Sequence, residues 1–150
     1  MGHLTEAPID LARLVARVAA PERGAIASFL GVVRNHQEGR RVERLDYSAY
    51  GPMAERECER IVAEAEERWD VAVALEHRIG RLEIGDTAVA VVAAAAHREP
   101  AFAACRFVIE EVKRRVPIWK REHYADGAVG WVDPTAPGGA RPADPTPRPA

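Results

Sequence analysis

Three segments repeat apolar residues at the spacing of an amphipathic helix. The clearest is 53–69, whose apolar stripe consists of Ala54, Cys58, Ile61, Ala65 and Trp69. Gly51-Pro52 is expected to break the chain just before it. A short helix is predicted after Pro8, and a third helix near Pro100 with a buried stripe of Phe102, Cys105, Ile109 and Val112. The third helix should end near Arg115, since Val116 precedes a proline and that position disfavours helix.

Between these helices the pattern changes to that of strands. Segments 24–34 and 41–50 are predicted to pair, with a polar loop at 35–40, and residues 71–79 alternate as a further strand. A turn region is expected at 80–86 and a last short strand at 129–132. The apolar run 87–96 predicts a central strand covered on both faces. This order predicts an α+β fold, a two-layer sandwich of the α/β-hammerhead type with helices on a largely antiparallel sheet.

Composition divides the 150 residues into one folded domain, 1–132, and a Pro-rich flexible tail, 133–150, that holds six of the 11 prolines. With 47% hydrophobic residues the chain can form a core without disulfides. A net charge of −2 gives no reason to expect nucleic-acid or membrane binding. No apolar run is long enough to span a membrane, no signal peptide is visible, and the two cysteines lie on apolar stripes, so we expect a cytoplasmic protein.

The sequence lacks the common motifs of cofactor and metal sites. It has no Gly-rich phosphate loop, no nucleophile elbow, no Cys-x-x-Cys and no His-Glu-x-x-His, and its five histidines are scattered. We therefore expect no metal ion and no bound cofactor. The cysteines are poor candidates for sulfur carriers, because a reactive thiolate needs an accessible, electropositive setting.

Basic residues stand where several predicted elements end, and if they meet they would form a pocket for a small anion. The clusters are Arg34-Asn35-His36, His97-Arg98, Lys113-Arg114-Arg115 and Lys120-Arg121. Lys113 and Lys120 can face one pocket only if the chain turns at Pro117. Each cluster also has a purely structural interpretation. Basic residues in a last helical turn favour the helix dipole, for example, and a histidine at a strand end is often simply a satisfied imidazole.

Four stretches together are more specific than any of these clusters. They are GAIASFLGVVRNH (24–36), HRIGRLEIGD (77–86), AAAHR (94–98) and FVIEEVKRRVPIWKRE (107–122). In this order and at these separations they closely resemble the large subunit of molybdopterin synthase, over about residues 9–132. The resemblance implies a sulfurtransferase of molybdenum cofactor biosynthesis. It also implies a homodimer of α+β subunits, each bound by a small ubiquitin-like partner, which makes a heterotetramer.

In that family the partner's C-terminal Gly-Gly tail carries a thiocarboxylate that supplies sulfur to cyclic pyranopterin monophosphate and forms its dithiolene. The resemblance implies that Lys113 and Lys120 are the catalytic lysines. Lys113 would act beside the thiocarboxylate carbon as acid/base or transient amine, and Lys120 at the pterin. Arg34 would orient the substrate or the tail, and His97 and Arg98 would bind phosphate across the dimer interface. The remaining lining residues would be Phe29, Val32, Val33, Ile109, Arg121 and Glu122.

Three other hypotheses stay open at this point. The chain could be a non-catalytic module that binds ubiquitin-like tails, although the presence of Lys113 and Lys120 argues against that. It could be an unrelated regulatory domain that binds a phosphoanion and needs no protein partner. Nucleic-acid binding, suggested only by the basic residues of 113–121, would weaken steeply with salt.

Overall fold

The computed structural model describes residues 2–132 as three helices and nine strands; the tail expected at 133–150 lies outside the described residues. In chain order the elements are β1 (Leu4–Thr5), α1 (Leu11–Val18), β2 (Ala25–Val32), β3 (His36–Gln37), β4 (Arg40–Ala49), α2 (Gly51–Arg68), β5 (Val71–Arg78), β6 (Gly80–Glu83), β7 (Thr87–Ala95), α3 (Arg98–Arg115), β8 (Ile118–Tyr124) and β9 (Val129–Val132). Within this range no helix is long and apolar enough to cross a membrane.

The first sheet has the strand order β1-β5-β7-β2. β1 pairs with β5 in parallel, and β7 pairs antiparallel with both β5 and β2. From Ala88 to Ala95 every residue of β7 is buried, because helices cover both faces of this sheet. The prediction of a central strand at 87–96 is confirmed.

The helices divide between the two faces of the first sheet. α2 and α3 pack on one face, where Ile61, Leu75, Val91 and Val108 belong to one buried cluster. α1 covers the other face with Leu14 and Val18, and the Asp10 carboxylate caps its N-terminus by accepting from the backbone N–H of Ala12. The α+β class, with helices on a largely antiparallel sheet, agrees with the sequence pattern.

The second sheet corrects the predicted strand pairing. Its order is β3-β4-β8-β9, and β6 also pairs with β4. The predicted pairing of segments 24–34 and 41–50 is therefore wrong: β2 pairs with β7, and β4 pairs with β8. The predicted loop 35–40 contains β3, and the predicted turn region 80–86 contains β6. Short strands without a long apolar run carry too little periodicity to be recognised locally.

Two expectations about helices also need correction. Gly51-Pro52 does not break the chain but forms the first turn of α2, a position that tolerates proline because its N–H would be unpaired anyway. Phe102 is not part of the buried stripe of α3, since 65% of its surface is exposed. The predicted end of α3 at Arg115 is confirmed, and only Val116 and Pro117 separate it from β8. This short connection places the C-terminal end of α3 beside the second sheet.

Candidate functional site

A cavity of about 200 Å³ lies where the C-terminal end of α3 meets both sheets. Its wall is formed by six strands and one helix, so most of its side chains stand on rigid elements. The lining residues are Gly31, Val32, Val33, Arg34, His36, Gln37, Val42, Leu45, Tyr47, His77, Ala88, Val89, Ile109, Val112, Lys113, Val116, Ile118, Lys120 and Glu122.

The two candidate lysines both line this cavity. Lys113 stands in the last turn of α3, and Lys120 is the third residue of β8. The chain changes from helix to strand at Pro117, which allows residues seven positions apart to face the same space. The turn that the sequence analysis required is therefore present.

The environment of both lysines favours their neutral form. Crowding by protein atoms lowers the pKa of Lys113, and the nearby charges of Lys120 and Arg34 lower it further. Burial also lowers the pKa of Lys120, against the opposing effect of the Glu122 carboxylate. The cavity is open, so Lys113 keeps contact with water even though protein surrounds its amine. A lysine whose pKa is lowered acts as a neutral amine or as a proton carrier more readily than an ordinary lysine.

A buried carboxylate stands beside Lys120. Glu122 is 2% exposed, one of its oxygens lies 3.9 Å from Lys120 Nζ, and the other accepts a 2.6 Å hydrogen bond from the Tyr124 hydroxyl. Tyr47 lines the cavity on the neighbouring strand. Burial, together with the charge of Glu122, raises the pKa of Tyr47 to about 12. The Tyr47 phenol therefore stays protonated at physiological pH.

Arg34 stands at the mouth of the cavity, where its guanidinium donates a 2.7 Å hydrogen bond to Gln37 Oε1. The predicted apolar residues Val32, Val33 and Ile109 line the wall. Gly31 completes it because the backbone approaches β7 closely there: an added Cβ would lie 2.7 Å from Val89 Cγ1. A larger residue at position 31 would push into the strand pair that supports the cavity.

Four residues predicted for the site do not line this cavity. His97 is the N-cap of α3 and Arg98 its first residue, both exposed, and they stand at the opposite end of the helix from Lys113, roughly 24 Å away along its axis. Arg121 lies on the other face of β8 from Lys120, near Asp46 and Trp131. Phe29 is 37% exposed on β2, beside Gly31. One chain by itself therefore does not bring these four residues to the lysines.

The cluster Lys113-Arg114-Arg115 is divided by the structure. Arg114 pairs with Glu111, and Arg115 pairs with Glu57, Glu64 and Glu111 on the side of α3 that faces α2. Of the three basic residues only Lys113 lines the cavity. Spacing along the helix separates them, since residues one or two positions apart point in different directions.

Sequence reasoning missed the polar residues that β3, β4 and β5 supply to the wall: Gln37, Tyr47 and His77. His77 had a detectable signal, because it lies on the same face of β5 as the apolar residues Val71, Val73 and Leu75. Burying a histidine at such a position costs free energy unless the polar atoms of its ring form hydrogen bonds. No comparable signal marks Gln37, which lies in the stretch predicted as a loop.

Comparison with known proteins identifies the family. The model of the family described as MoaE protein matches residues 4–115. The chain is 45% identical to the molybdopterin synthase catalytic subunit of Halalkalibacterium halodurans over 130 residues, covering 86% of this chain and 83% of the relative. The chain belongs to the MoaE family. It is also 45% identical to molybdopterin synthase catalytic subunit 1 of Mycobacterium tuberculosis, covering 87% of this chain and 88% of that one.

Solved structures agree with the MoaE assignment. Molybdopterin synthase from Staphylococcus aureus superimposes with a TM-score of 0.83 at 35% identity, covering 87% of this chain and 95% of that one. A Helicobacter pylori structure, described as the complex of subunits 1 and 2 of molybdopterin-converting factor, gives a TM-score of 0.69 at 22% identity, which supports the MoaE fold. The resemblance inferred from the four sequence stretches is therefore confirmed.

Proposed function

We propose that this chain is the catalytic subunit of molybdopterin synthase. It transfers sulfur from the C-terminal thiocarboxylate of a small ubiquitin-like partner to cyclic pyranopterin monophosphate and so forms the dithiolene of molybdopterin. The observation that carries the proposal is the cavity of this MoaE family member, where Lys113, Lys120 and Arg34 surround one space. An anionic tail and an anionic pterin both require such a cationic site.

The two cysteines support a sulfur donor outside this chain. Cys58 is fully buried and Cys105 is 6% exposed. Burial raises the pKa of Cys58 to about 12 and that of Cys105 to about 11, so neither forms a thiolate at physiological pH. A sulfurtransferase with such cysteines needs sulfur carried in by another molecule. The free, buried thiols also fit the reducing conditions of the cytoplasm, where we place the protein.

Lys113 is proposed to act at the thiocarboxylate carbon. Its lowered pKa increases the fraction of neutral amine at a given pH, and a neutral amine can accept a proton or add to an activated carbonyl carbon. Neighbouring cations stabilise negative charge that develops as the thiocarboxylate reacts. Lys113 thus combines an available amine with a positive surrounding field.

Lys120 is proposed to act at the pterin. The Glu122 carboxylate, 3.9 Å away, opposes the effect of burial on the pKa of Lys120 and helps to maintain its ammonium form, which is the form that can donate a proton to the pterin. Arg34 at the mouth would orient the tail or the substrate as both enter. The two lysines would then perform different steps because only one of them has a carboxylate beside it.

His97 and Arg98 are proposed to bind the phosphate of a pterin held by the other subunit of a homodimer. Both are exposed at the N-terminus of α3, where backbone N–H groups also favour anions. With one small partner bound to each chain, the assembly would be a heterotetramer. The H. pylori relative is itself described as a complex of two different subunits. A mixed dimer with Arg98→Ala in one chain and Lys113→Ala in the other tests this arrangement, since it should keep one intact site.

The experiment that tests the function is a reconstitution. The chain is mixed with thiocarboxylated partner and cyclic pyranopterin monophosphate, and the dithiolene pterin is followed as its oxidised fluorescent derivative. The control is the same partner ending in an ordinary carboxylate. Product that requires all three components supports the synthase. Partner binding without product would favour the non-catalytic module for ubiquitin-like tails, and absence of both would overturn the proposal.

A further inference from the structure

His77 stands in the wall of the cavity and has no role in the function proposed above. It is 7% exposed, and it lies on the face of β5 that packs towards α3. The charge of Lys113 acts on its ring, and Tyr47 contacts the ring edge-on, with centroids 5.0 Å apart. A histidine so deeply buried beside a candidate catalytic lysine calls for a physical explanation.

The hydrogen bonds of His77 define its tautomer. Nδ1 lies 2.8 Å from the carbonyl oxygen of Arg78, and a carbonyl oxygen only accepts, so Nδ1 carries the proton. Burial lowers the pKa of His77 to about 4; the bond to Arg78 opposes that effect, and the charge of Lys113 adds to it. The imidazole is therefore neutral at physiological pH. Its other nitrogen, Nε2, has a free lone pair.

The structure holds this ring in one orientation. The backbone N–H of His77 donates a 2.7 Å hydrogen bond to His3, and across the sheet His77 is opposite Val89. The Nδ1 bond and the edge contact with Tyr47 fix the ring plane. Within residues 2–132, no side-chain hydrogen bond engages Nε2. This atom is a fixed and unused acceptor in the wall of the cavity.

We propose that His77 is a positioning residue, whose Nε2 accepts a hydrogen bond from Lys113 Nζ when the partner tail fills the cavity and so fixes the direction of the lysine amine. The inference rests on the proposed function. Lysine has a flexible four-carbon stem, and an amine that must meet one carbon atom gains rate when its rotation is restricted. Both the ammonium and the neutral amine have an N–H to donate. No proton is transferred to His77, because its imidazole is too weak a base.

Two amide variants of His77 test the roles of the two ring nitrogens one at a time. In His77→Asn the side-chain amide stands near the position of Nδ1 and can still bond to Arg78, whereas in His77→Gln the amide oxygen reaches the position of Nε2. We expect His77→Asn to lower kcat roughly 10- to 100-fold with little change in KM. His77→Gln should recover most of that loss. Equal rates in the two variants, or an unchanged kcat in His77→Asn, would overturn the proposal.

His3→Asn is the matched control. The His3 ring also bonds through Nδ1 to a backbone carbonyl, that of Leu75, at 2.9 Å, but His3 does not line the cavity. We expect this variant to keep the wild-type kcat. A loss as large as that of His77→Asn would show that any histidine in this region acts only through stability, which contradicts the proposal.

A second measurement does not require turnover. Nitrogen NMR of the His77 imidazole is recorded with the partner that ends in an ordinary carboxylate, in the wild type and in Lys113→Ala. The Nε2 resonance of the wild type should move towards that of a hydrogen-bonded nitrogen when the partner binds, and in Lys113→Ala it should not. The same movement in both would mean that Nε2 bonds to the tail instead, and the proposal fails. If the wild type shows no turnover in the reconstitution, the proposed function is refuted. The NMR experiment still tests the role of His77 in that case.

Discussion

Two cations at the end of α3 have opposite surroundings although only one residue separates them. Arg115 forms ion pairs with Glu57, Glu64 and Glu111 at 2.8 to 3.2 Å, and these carboxylates, Glu64 first, raise its pKa. Lys113 has no carboxylate in ion-pair contact among residues 2–132, and its pKa is lowered. The first region joins α3 to α2, and the second opens into the cavity.

This difference distinguishes a cation that stabilises the fold, Arg115, from one that is available for chemistry, Lys113. Where two helices only need to be held together, the chain supplies a carboxylate for each donor of the guanidinium. In the cavity it collects Lys113, Lys120 and Arg34 around one buried carboxylate, Glu122. Such an arrangement costs stability, and a protein retains it when a ligand brings the missing negative charge.

The largest expected effect comes from removing the unpaired cation. We predict that Lys113→Ala lowers product formation roughly 100-fold or more while the partner still binds and the melting temperature does not fall. Lys113→Arg keeps the charge but cannot supply a neutral amine, and it should be as inactive. Single-turnover assays and a pull-down measure both properties. Full activity in Lys113→Ala would exclude Lys113 from the reaction.

A smaller effect should follow when a carboxylate is added beside Arg34. Gln37→Glu is isosteric and converts the hydrogen bond to Arg34 into an ion pair. We predict that KM for the anionic pterin rises about fivefold, which corresponds to about 1 kcal/mol, roughly the interaction of two charges 4 Å apart in bulk water, and that salt reduces the difference. Gln37→Met removes the hydrogen bond without adding charge. If Gln37→Met raised KM equally, charge would not be the cause.

The smallest effect is expected in the paired region. Arg115→Gln should lower the free energy of unfolding by about 1 kcal/mol or less and leave activity intact. Hydrogen bonds from Arg115 lower the pKa of Glu57 and Glu64 below the ordinary value of 4.5. Their contribution is therefore present above that pH and is lost as the pH falls.

Urea unfolding of the wild type and of Arg115→Gln measures this contribution directly. The difference between the two proteins should be largest near neutral pH and should shrink below about pH 4.5. A difference that stays constant across this range would mean that Arg115 stabilises the helix pair by packing and not by charge.

The sequence predicted the long elements well, because each repeats a pattern over many residues. The apolar run of β7 and the helices around Ile61 and Val108 were recognisable in this way. It failed for β3 and β6, which are two and four residues long, and for the partners of β2 and β4. Strand pairing depends on contacts between distant segments, and a local pattern does not contain them.

The candidate site was predictable to a similar extent. Lys113, Lys120 and Arg34 were singled out by a resemblance that covers most of the chain, and the structure brings them together. His77 and Tyr47 were missed, because a strand pattern shows which face of the strand a residue lies on but not which residues that face contacts. Phosphate binding by His97 and Arg98 stays a prediction, since it depends on a second subunit.

The two-residue connection between α3 and β8 also limits how this protein can change length. Alternate side chains of β8 face opposite sides of the sheet, with Lys120 and Glu122 towards the cavity and Arg121 and His123 away from it. Inserting or deleting one residue at Pro117 would exchange the two sets and leave the cavity with Trp119 and Arg121. A single-codon insertion at this connection would therefore turn every cavity-facing side chain of β8 to the opposite face of the sheet.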